Sequence, residues 1–425
     1  MIIKSIESIC KKTYPVHTFT SKTKDNNIQN PYIHYISDSN WFLDIKKVCN
    51  ITENIVYLDL DKLKDRYKLP VALAVLQSMY KLTHFLTSKK KRVVRLFILQ
   101  HYDIVILLRS IAIGNDISSY PANKLDPNTF CEYTQKLLGG EEGIEVSWYD
   151  HRKMKKMGMN LIVAVGKGAQ APPRFLKIKL IVDEKMPTVC LVGKGVIFDS
   201  GGYNLKPSAY MKNMKGDKTG GAVVISIFHY FAKNKHMLNY NLIGIIPLVE
   251  NLISHKAQKT GDIYTAYNGK TVEIANTDAE GRLIMAEALA YISKHYNPVL
   301  TMDFATLTGW AGLLHCDTSF IYFTTNNRLA KKIEYNSEKT GERNIRLPNW
   351  PEYTDYTKSD VADYKNANYN CKQSDGFMAS MFLMNFVADP DKWIHFDITH
   401  SFKNNSSCIC NAAATAIELL KSTRI

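Results

Sequence analysis

The stretch Val192–Val223, VGKGVIFDSGGYNLKPSAYMKNMKGDKTGGAV, decides how this chain is read. An apolar run leads into Asp199 and then into Ser200-Gly201-Gly202. That is the pattern of a strand ending in a turn, and acidic groups at strand ends in α/β proteins commonly point into a ligand crevice. The two glycines permit close backbone approach to whatever binds there. Asp217 follows just before Thr219-Gly220-Gly221 and an apolar helix pattern, and Lys194 and Lys206 are the candidate cations. A second segment, Asn276–Leu283 (NTDAEGRL), sets Asp278 and Glu280 one residue apart. In an extended segment residues i and i+2 point the same way, so both carboxylates are expected to enter one site. Like charges held that close raise a pKa unless a cation lies between them. From Gly281 onward a strong helix pattern begins.

Taken singly, an Asp-x-Glu or an Asp-Ser-Gly is most often a surface charge beside a turn. Taken together, four carboxylates and two lysines without interleaved histidine or cysteine describe an oxygen-rich site. Such a site suits divalent ions of the Mg, Mn and Zn kind. Four carboxylates are more charge than one ion needs. Two ions sharing bridging carboxylates fit better, as in two-metal hydrolases. A phosphoesterase of that kind usually carries histidines, which these segments lack. Gly193-x-Gly195 and Gly166-x-Gly168 miss the later glycine of a dinucleotide fingerprint, Tyr264 stands where a phosphate loop at Gly269-Lys270-Thr271 needs glycine, and no Gly-x-Ser-x-Gly elbow occurs.

Outward from these segments, strand and helix patterns alternate along 425 residues, which points to an α/β fold with a sheet covered by helices. Strands are expected at Arg92–Leu99, Asn160–Val165, Lys177–Val182, Thr188–Val192, Leu242–Pro247 and Val299–Phe304. Helices are expected at Val71–Leu86 (with Pro70 at its start), Asp103–Ile113, Gly221–Ala232, Gly281–Lys294 and Asp375–Val387, and one capped by Asp126-Pro127 runs through Leu138. The Gly, Asp, Asn, Ser and Pro of residues 114–127 read as a linker. The expectation is therefore a smaller N-terminal α/β domain over 1–115, non-catalytic and with an oligomer or regulatory role, and a larger catalytic domain over 121–425.

At 45% hydrophobic and 22% charged residues the chain is of the globular kind. Its eight cysteines form no CxxC pair, so reduced, packed thiols and a cytoplasmic setting are expected; this includes Cys408-x-Cys410. No run approaches the roughly 18 apolar residues of a membrane span, and the N-terminal stretch lacks a secretory pattern. The net charge is +14, and residues 1–120 hold 18 Lys and Arg against 10 Asp and Glu, densest at Lys89-Lys90-Lys91-Arg92. A nucleic-acid role for this basic first part is the alternative reading. A solvated loop is favoured, because the run has no interleaved aromatics.

Together, VGKGVIFDSGG-x3-KPS, MKNMKGD and NTDAEGRL resemble the leucyl (cytosol) aminopeptidase family of metallopeptidases. The likeness extends through Met157–Leu180, DFATLTG (Asp303–Gly309), RLPNWPEY (Arg346–Tyr353), KSDVADYKN (Lys358–Asn366) and WIHFDI (Trp393–Ile398), roughly the C-terminal 300 residues. The resemblance implies a two-domain subunit, a homohexamer and two divalent ions, Zn²⁺ and/or Mn²⁺, with Mg²⁺ or Co²⁺ as alternatives at the exchangeable position. By motif position Lys194, Asp199, Asp217 and Glu280 would bind one ion, and Asp199, Asp278 and Glu280 the other. Lys206 and Arg282 would be the catalytic pair, with bicarbonate held at Arg282 as a proton relay. Met214, Thr306, Leu307 and Gly309 would bind the first residue of a peptide with a free N-terminus. The resemblance thus implies an exopeptidase that works by a metal-bridging water. Tyr203, Lys218-Thr219 and Thr399–Phe402 depart from the usual family residues, which bears on side-chain preference.

Overall fold

The chain folds as alternating strands and helices, described for residues 2–6, 16–20, 33–35, 55–61, 63–82, 85, 95–99, 101–315, 319–369, 375–399, 402–403 and 407–423 of a computed structural model. Five strands near the N-terminus, β1 (Ile2–Ile6), β2 (Val16–Thr20), β3 (Ile33–Tyr35), β4 (Ile55–Asp59) and β5 (Arg95–Leu99), pair in parallel in the order β1-β5-β4-β2-β3. With them go α1 (Asp65–Met79) and α2 (Tyr102–Ser119). Pro70 lies in the second turn of α1 rather than at its start, at the cost of one backbone donor.

The larger sheet takes its strands from β6 (Ile144–Tyr149), β7 (Arg174–Leu180), β8 (Thr188–Gly193), β9 (Gly195–Asp199) and β10 (Asn241–Asn251). Beyond a hairpin of β11 (Ile263–Thr265) and β12 (Thr271–Glu273) come β13 (Leu300–Ala305), β14 (Ser319–Phe323), β15 (Arg343–Arg346), β16 (Tyr364–Lys365), which joins that hairpin, and β17 (Trp393–Asp397). The order is β15-β14-β17-β13-β8-β10-β7-β6, nine strands with β9 beside the far half of β10. Its centre, β17, β13, β8 and β10, is parallel, and antiparallel pairs lie outside it, so the sheet is mixed.

Period-two alternation sorts this sheet's side chains into two cores. Val189 and Leu191 of β8, Leu242, Ile246 and Leu248 of β10 and Met302 and Phe304 of β13 enter one core. They meet α2, α3 (Pro127–Leu138) and α7 (Thr219–Lys233) there. Cys190, Val192, Ile243, Ile245 and Val249 enter the other, against α5 (Asn160–Gly166), α8 (Glu280–His295) and α11 (Asp375–Met384). Each such side chain contributes about 1.5–3 kcal/mol on burial. The remaining helices are α4 (His151–Met157), α6 (Ser208–Met211), α9 (Gly309–His315), α10 (Asn327–Thr340) and α12 (Ala413–Ser422).

Most expected elements are found, and α3 carries the Asp126 cap: the side chain accepts from Thr129 N at 2.8 Å. Two expectations fail. Asn160–Val165 is helix, not strand. A short apolar run has no period long enough to separate the two, and here the buried Glu287 carboxylate accepts from Leu161 N at 2.7 Å, holding the first turn of α5 onto α8. Residues 114–119 are not linker but the last turns of α2. The side chains of Asn115, Ser118 and Ser119 are buried, and two of them serve the chain at 408–410: Asn115 Oδ1 accepts from Cys410 N at 2.8 Å and Ser119 Oγ from Cys408 N at 2.8 Å. Cys408 and Cys410 are themselves buried free thiols. Lys89-Lys90-Lys91-Arg92 lies outside the described residues.

Candidate metal centre

The carboxyl ends of β8, β9, β10, β13 and β17 meet at one edge of the sheet, where crevices of α/β proteins form. β8 and β9 are interrupted by one residue, Lys194, whose amide donates to Phe304 O at 2.9 Å and whose carbonyl accepts from Gly221 N at 2.8 Å. The side chain is buried and reaches Asp217 Oδ2 at 2.9 Å, Glu280 Oε1 at 3.0 Å and Thr306 O at 2.8 Å. Gly281 makes room for it, since a Cβ there would stand 2.6 Å from Lys194 Nζ.

Asp199 ends β9. Its Oδ1 accepts from Gly201 N at 2.9 Å and from Asn251 Nδ2 at 2.8 Å, and Oδ2 faces Lys206 Nζ at 2.8 Å. Gly201 turns the chain with φ +87°, a conformation that favours glycine, and a Cβ would also meet Asp278 Oδ1 at 2.8 Å. Lys206 bridges on to Asp278 Oδ1 at 2.5 Å. Asp217, in the turn before α7, accepts from Thr306 Oγ1 at 2.7 Å. Ligand atoms of Asp199, Asp217 and Glu280, all buried, lie within 4.8 Å of one another.

The four carboxylates and two lysines singled out in the two segments are therefore brought together, although not by the route expected. Asp278 sits in a turn and Glu280 in the first turn of α8, so no extended segment aligns them. The turn is held from outside. Asn366 Oδ1 accepts from Ala275 N and Asn276 N, and its Nδ2 donates to Asn276 O and Ala279 O. Thr277 Oγ1 donates to Gly201 O at 2.7 Å, which fastens the two segments to each other.

The electrostatics follow from crowding. Burial, with Asp199 and Glu280 alongside, pushes the Asp278 carboxyl up to about 7. Burial raises Glu280 as well, and Asp217 well above the usual carboxylate range. Burial opposes the charge on Lys194 and Lys206, but the surrounding carboxylates outweigh it and hold both ammoniums above the ordinary lysine value. Glu280 Oε2 is buried with no hydrogen-bond partner among the described residues. Such an atom costs about 1–3 kcal/mol unless a cation or proton meets it. An all-carboxylate set with one amine, an orphaned carboxylate oxygen and mutual repulsion fit hard divalent cations.

Around the centre, Leu307 N and Thr308 N donate to Asp397 at 3.2 Å each and Thr308 Oγ1 at 2.6 Å, so the end of β17 fixes the Thr306–Gly309 loop. Gly309 has open space where a side chain would be. Met214 is partly exposed in the short turn that precedes Asp217. Arg282 is buried on α8, bound to Asn366 O at 2.9 Å and Asp375 Oδ1 at 2.7 Å. Lys218 turns away from the cluster and donates to Tyr120 O at 2.7 Å and to Lys215 O. Sequence reasoning did not single out Asn251, Asn366, Asp375 or Asp397. Asn366 and Asp397 lie in segments that carried the family likeness.

Fold and cluster define an α/β protein with a buried carboxylate cluster, of the kind that can hold a hard cation, at the carboxyl edge of parallel strands. Residues 112–420 match the cytosol aminopeptidase family, catalytic domain, and the chain belongs to that family. It is 39% identical over 294 residues to a probable cytosol aminopeptidase of Chloroherpeton thalassium, covering 69% of this chain and 57% of that protein. It is also 39% identical over 311 residues to the cytosol aminopeptidase of Encephalitozoon cuniculi, covering 70% and 62%. The crystal structure of cytosol aminopeptidase from Coxiella burnetii superposes with a TM-score of 0.85 at 26% identity, over 98% of each chain. The chain thus matches less than two thirds of these two relatives' length. No helix among the described residues is long and apolar enough to cross a membrane.

Proposed function

We propose that this chain is a metal-dependent aminopeptidase that removes the N-terminal residue from peptides at the centre just described. The observation that carries the reading is the buried Asp199–Asp217–Glu280 cluster, with Asp278 beside it and two lysine ammoniums drawn in among the carboxylates. Lys194, Asp199, Asp217 and Glu280 would hold one cation, and Asp199, Asp278 and Glu280 a second, with Zn²⁺, Mn²⁺, Mg²⁺ or Co²⁺ as the fitting ions. Two such ions, when bound, supply the charge that offsets the carboxylates, acidify a shared water and leave Lys194 as a neutral amine ligand.

The chain's own groups do the rest. Lys206 is the cation free to turn from Asp199 and Asp278 toward charge that develops on the scissile carbonyl oxygen. Thr306, Leu307 and Gly309, on a loop fastened by Asp397, would present backbone groups and open space to the first residue, with Met214 as the pocket's apolar contact by family likeness. A free α-amine is the substrate group that suits a carboxylate-lined end, which makes the reaction exopeptidic. The catalytic part is assigned to residues 121–425, and residues 1–115 to an oligomer or regulatory role. A cytoplasmic homohexamer completes the reading by family likeness.

The test is hydrolysis of aminoacyl amides by chelated and metal-restored protein, with N-acetylated substrates in parallel. Chelation is expected to abolish turnover, Mn²⁺, Zn²⁺ or Co²⁺ to restore it, and acetylation to block it. Full turnover without metal, or efficient cleavage of the acetylated peptide, overturns the reading.

A further inference from the structure

We propose that Asp375 supplies, from within the chain, both the anion that Arg282 requires and the proton acceptor that the hydrolysis requires; this rests on the aminopeptidase reading above. Arg282 is two residues past Glu280, and its guanidinium is only 2% exposed, so it needs an anionic partner. That partner is Asp375, with Nη2 to Oδ1 at 2.7 Å, while Nη1 is taken by Asn366 O at 2.9 Å. Arg282 Nε is buried with no hydrogen-bond partner among the described residues, so it is the two terminal nitrogens that are taken, and a free bicarbonate expected at this arginine would have to stand beside the like charge of Asp375.

Asp375 is also placed to do chemistry. Its side chain is 34% exposed against 2% for Arg282, so the carboxylate lies between the buried cation and open space. The next residue, Gly376, abuts the first-residue loop: a Cβ there would lie 3.6 Å from Thr308 Oγ1 and 2.8 Å from the Trp310 ring. Arg282 thus holds the Asp375 carboxylate, and the residue that follows it abuts the Thr306–Gly309 loop. The four carboxylates of the centre are held by lysines and committed to cations, and Asp397 is taken up by the amides and hydroxyl of the Thr306–Gly309 loop; among the described residues Asp375 is the carboxylate beside Arg282 that has neither duty. In the step assigned to it, the water oxygen bonds to the scissile carbonyl carbon as one water proton passes to the Asp375 carboxylate. The same proton then passes to the leaving amine nitrogen as the C–N bond breaks. Asp375 returns to a carboxylate, and water is the only co-reactant.

The experiment uses full-length, metal-loaded protein in buffer stripped of carbon dioxide, with and without added bicarbonate or formate. Wild-type turnover is expected to be indifferent to both. Asp375→Ala is expected to lose roughly 10²–10³-fold in kcat with KM little changed, and to recover at least about tenfold with either small carboxylate. Asp375→Asn keeps the shape, and so guards against simple misfolding; it should lose as much and recover nothing, because the amide fills the space. Binding of ¹³C-labelled bicarbonate, followed by NMR, should be absent in wild type and present in Asp375→Ala, whether or not turnover is measured. Wild-type activity that falls when bicarbonate is removed, bicarbonate binding to wild type, wild-type rates in Asp375→Ala, or a loss that no carboxylate rescues each overturns the proposal. Wild type that hydrolyses no aminoacyl amide would fell the aminopeptidase reading instead, and the binding measurement would still decide where the anion sits.

Discussion

Asp303, within the larger sheet, and Glu280, at its carboxyl edge, are both buried carboxylates, and their oxygens meet opposite fates. Asp303, on β13, is closed off: Trp393 Nε1 donates to Oδ2 and His395 pairs with Oδ1, each at 2.6 Å. Trp393, His395 and Asp397 alternate along β17, so one face of that strand secures first the interior and then the loop at the edge. Among the described residues Glu280 meets Lys194 on one oxygen and no partner on the other, in the company of further carboxylates that repel it. A saturated buried acid contributes to the fold. An unsaturated one in like-charged company costs the fold and is retained for what it binds.

The largest effect that can test this contrast is at Glu280. Glu280→Ala should reduce metal affinity and kcat/KM by more than roughly 100-fold, the upper end of what losing a mere supporting contact costs. Melting in chelator should stay level or rise, because repulsion is relieved. Metal content and melting curves together check this, and a large loss of stability with metal retained would erase the distinction. Asp303→Ala should do the reverse, costing about 3–5 kcal/mol of stability by stranding its partners while the metal stoichiometry of the folded protein is unchanged. Denaturant titration and metal analysis read both halves.

Lys206→Ala sharpens the contrast within the centre itself. It should keep both metal ions and lose about 2–4 kcal/mol of transition-state stabilisation, seen in kcat. Loss of metal with turnover restored on resupply would make it a structural counter-ion only. The smallest effect is on pH. Burial opposes the charge of His395, but Asp303 outweighs it and raises the imidazole above 6.5. A raised folded-state value means the pair's contribution is full below about 6.5 and is lost as pH rises through the folded value. His395→Gln should therefore flatten the alkaline fall of Tm by about 1–2 °C. An unchanged slope would show that the pair is not charged.

Residues that act together in the centre were legible because they fall in two short segments, and a dense local pattern survives without knowledge of the fold. Sheet strands at Thr188, Leu242 and Leu300, the Asp126 cap and α8 were legible for the same reason. What escaped were partners set by long-range packing. Asn251 lies 52 residues from Asp199 and Asp375 lies 93 from Arg282, and nothing near either residue marks it. The misread elements failed where local chemistry is ambiguous. A short apolar run became α5, where Glu287 accepts an amide of the first turn, and the Asn and Ser of 114–119 look like a loop until the chain at 408–410 arrives to use them.

β10 carries a consequence of its own. It pairs with β8 from Asn241 to Ile245, then passes to β9, where Leu248 opposes Gly195 and Asn251 opposes Asp199. Lys194 sits at the handover. One strand is thus the common ruler for the lysine and the aspartate: its register is the same against β8 and the start of β9, and shifts by one residue between Val249 and Asn251, just before Asp199. Any insertion or deletion within residues 241–251 would slide one mark against the other and turn Asn251 to the opposite face. Indels in natural or engineered descendants of this chain should be absent from that span, whereas the exposed turn at 183–185 lies outside the ruler and can change length without moving either mark.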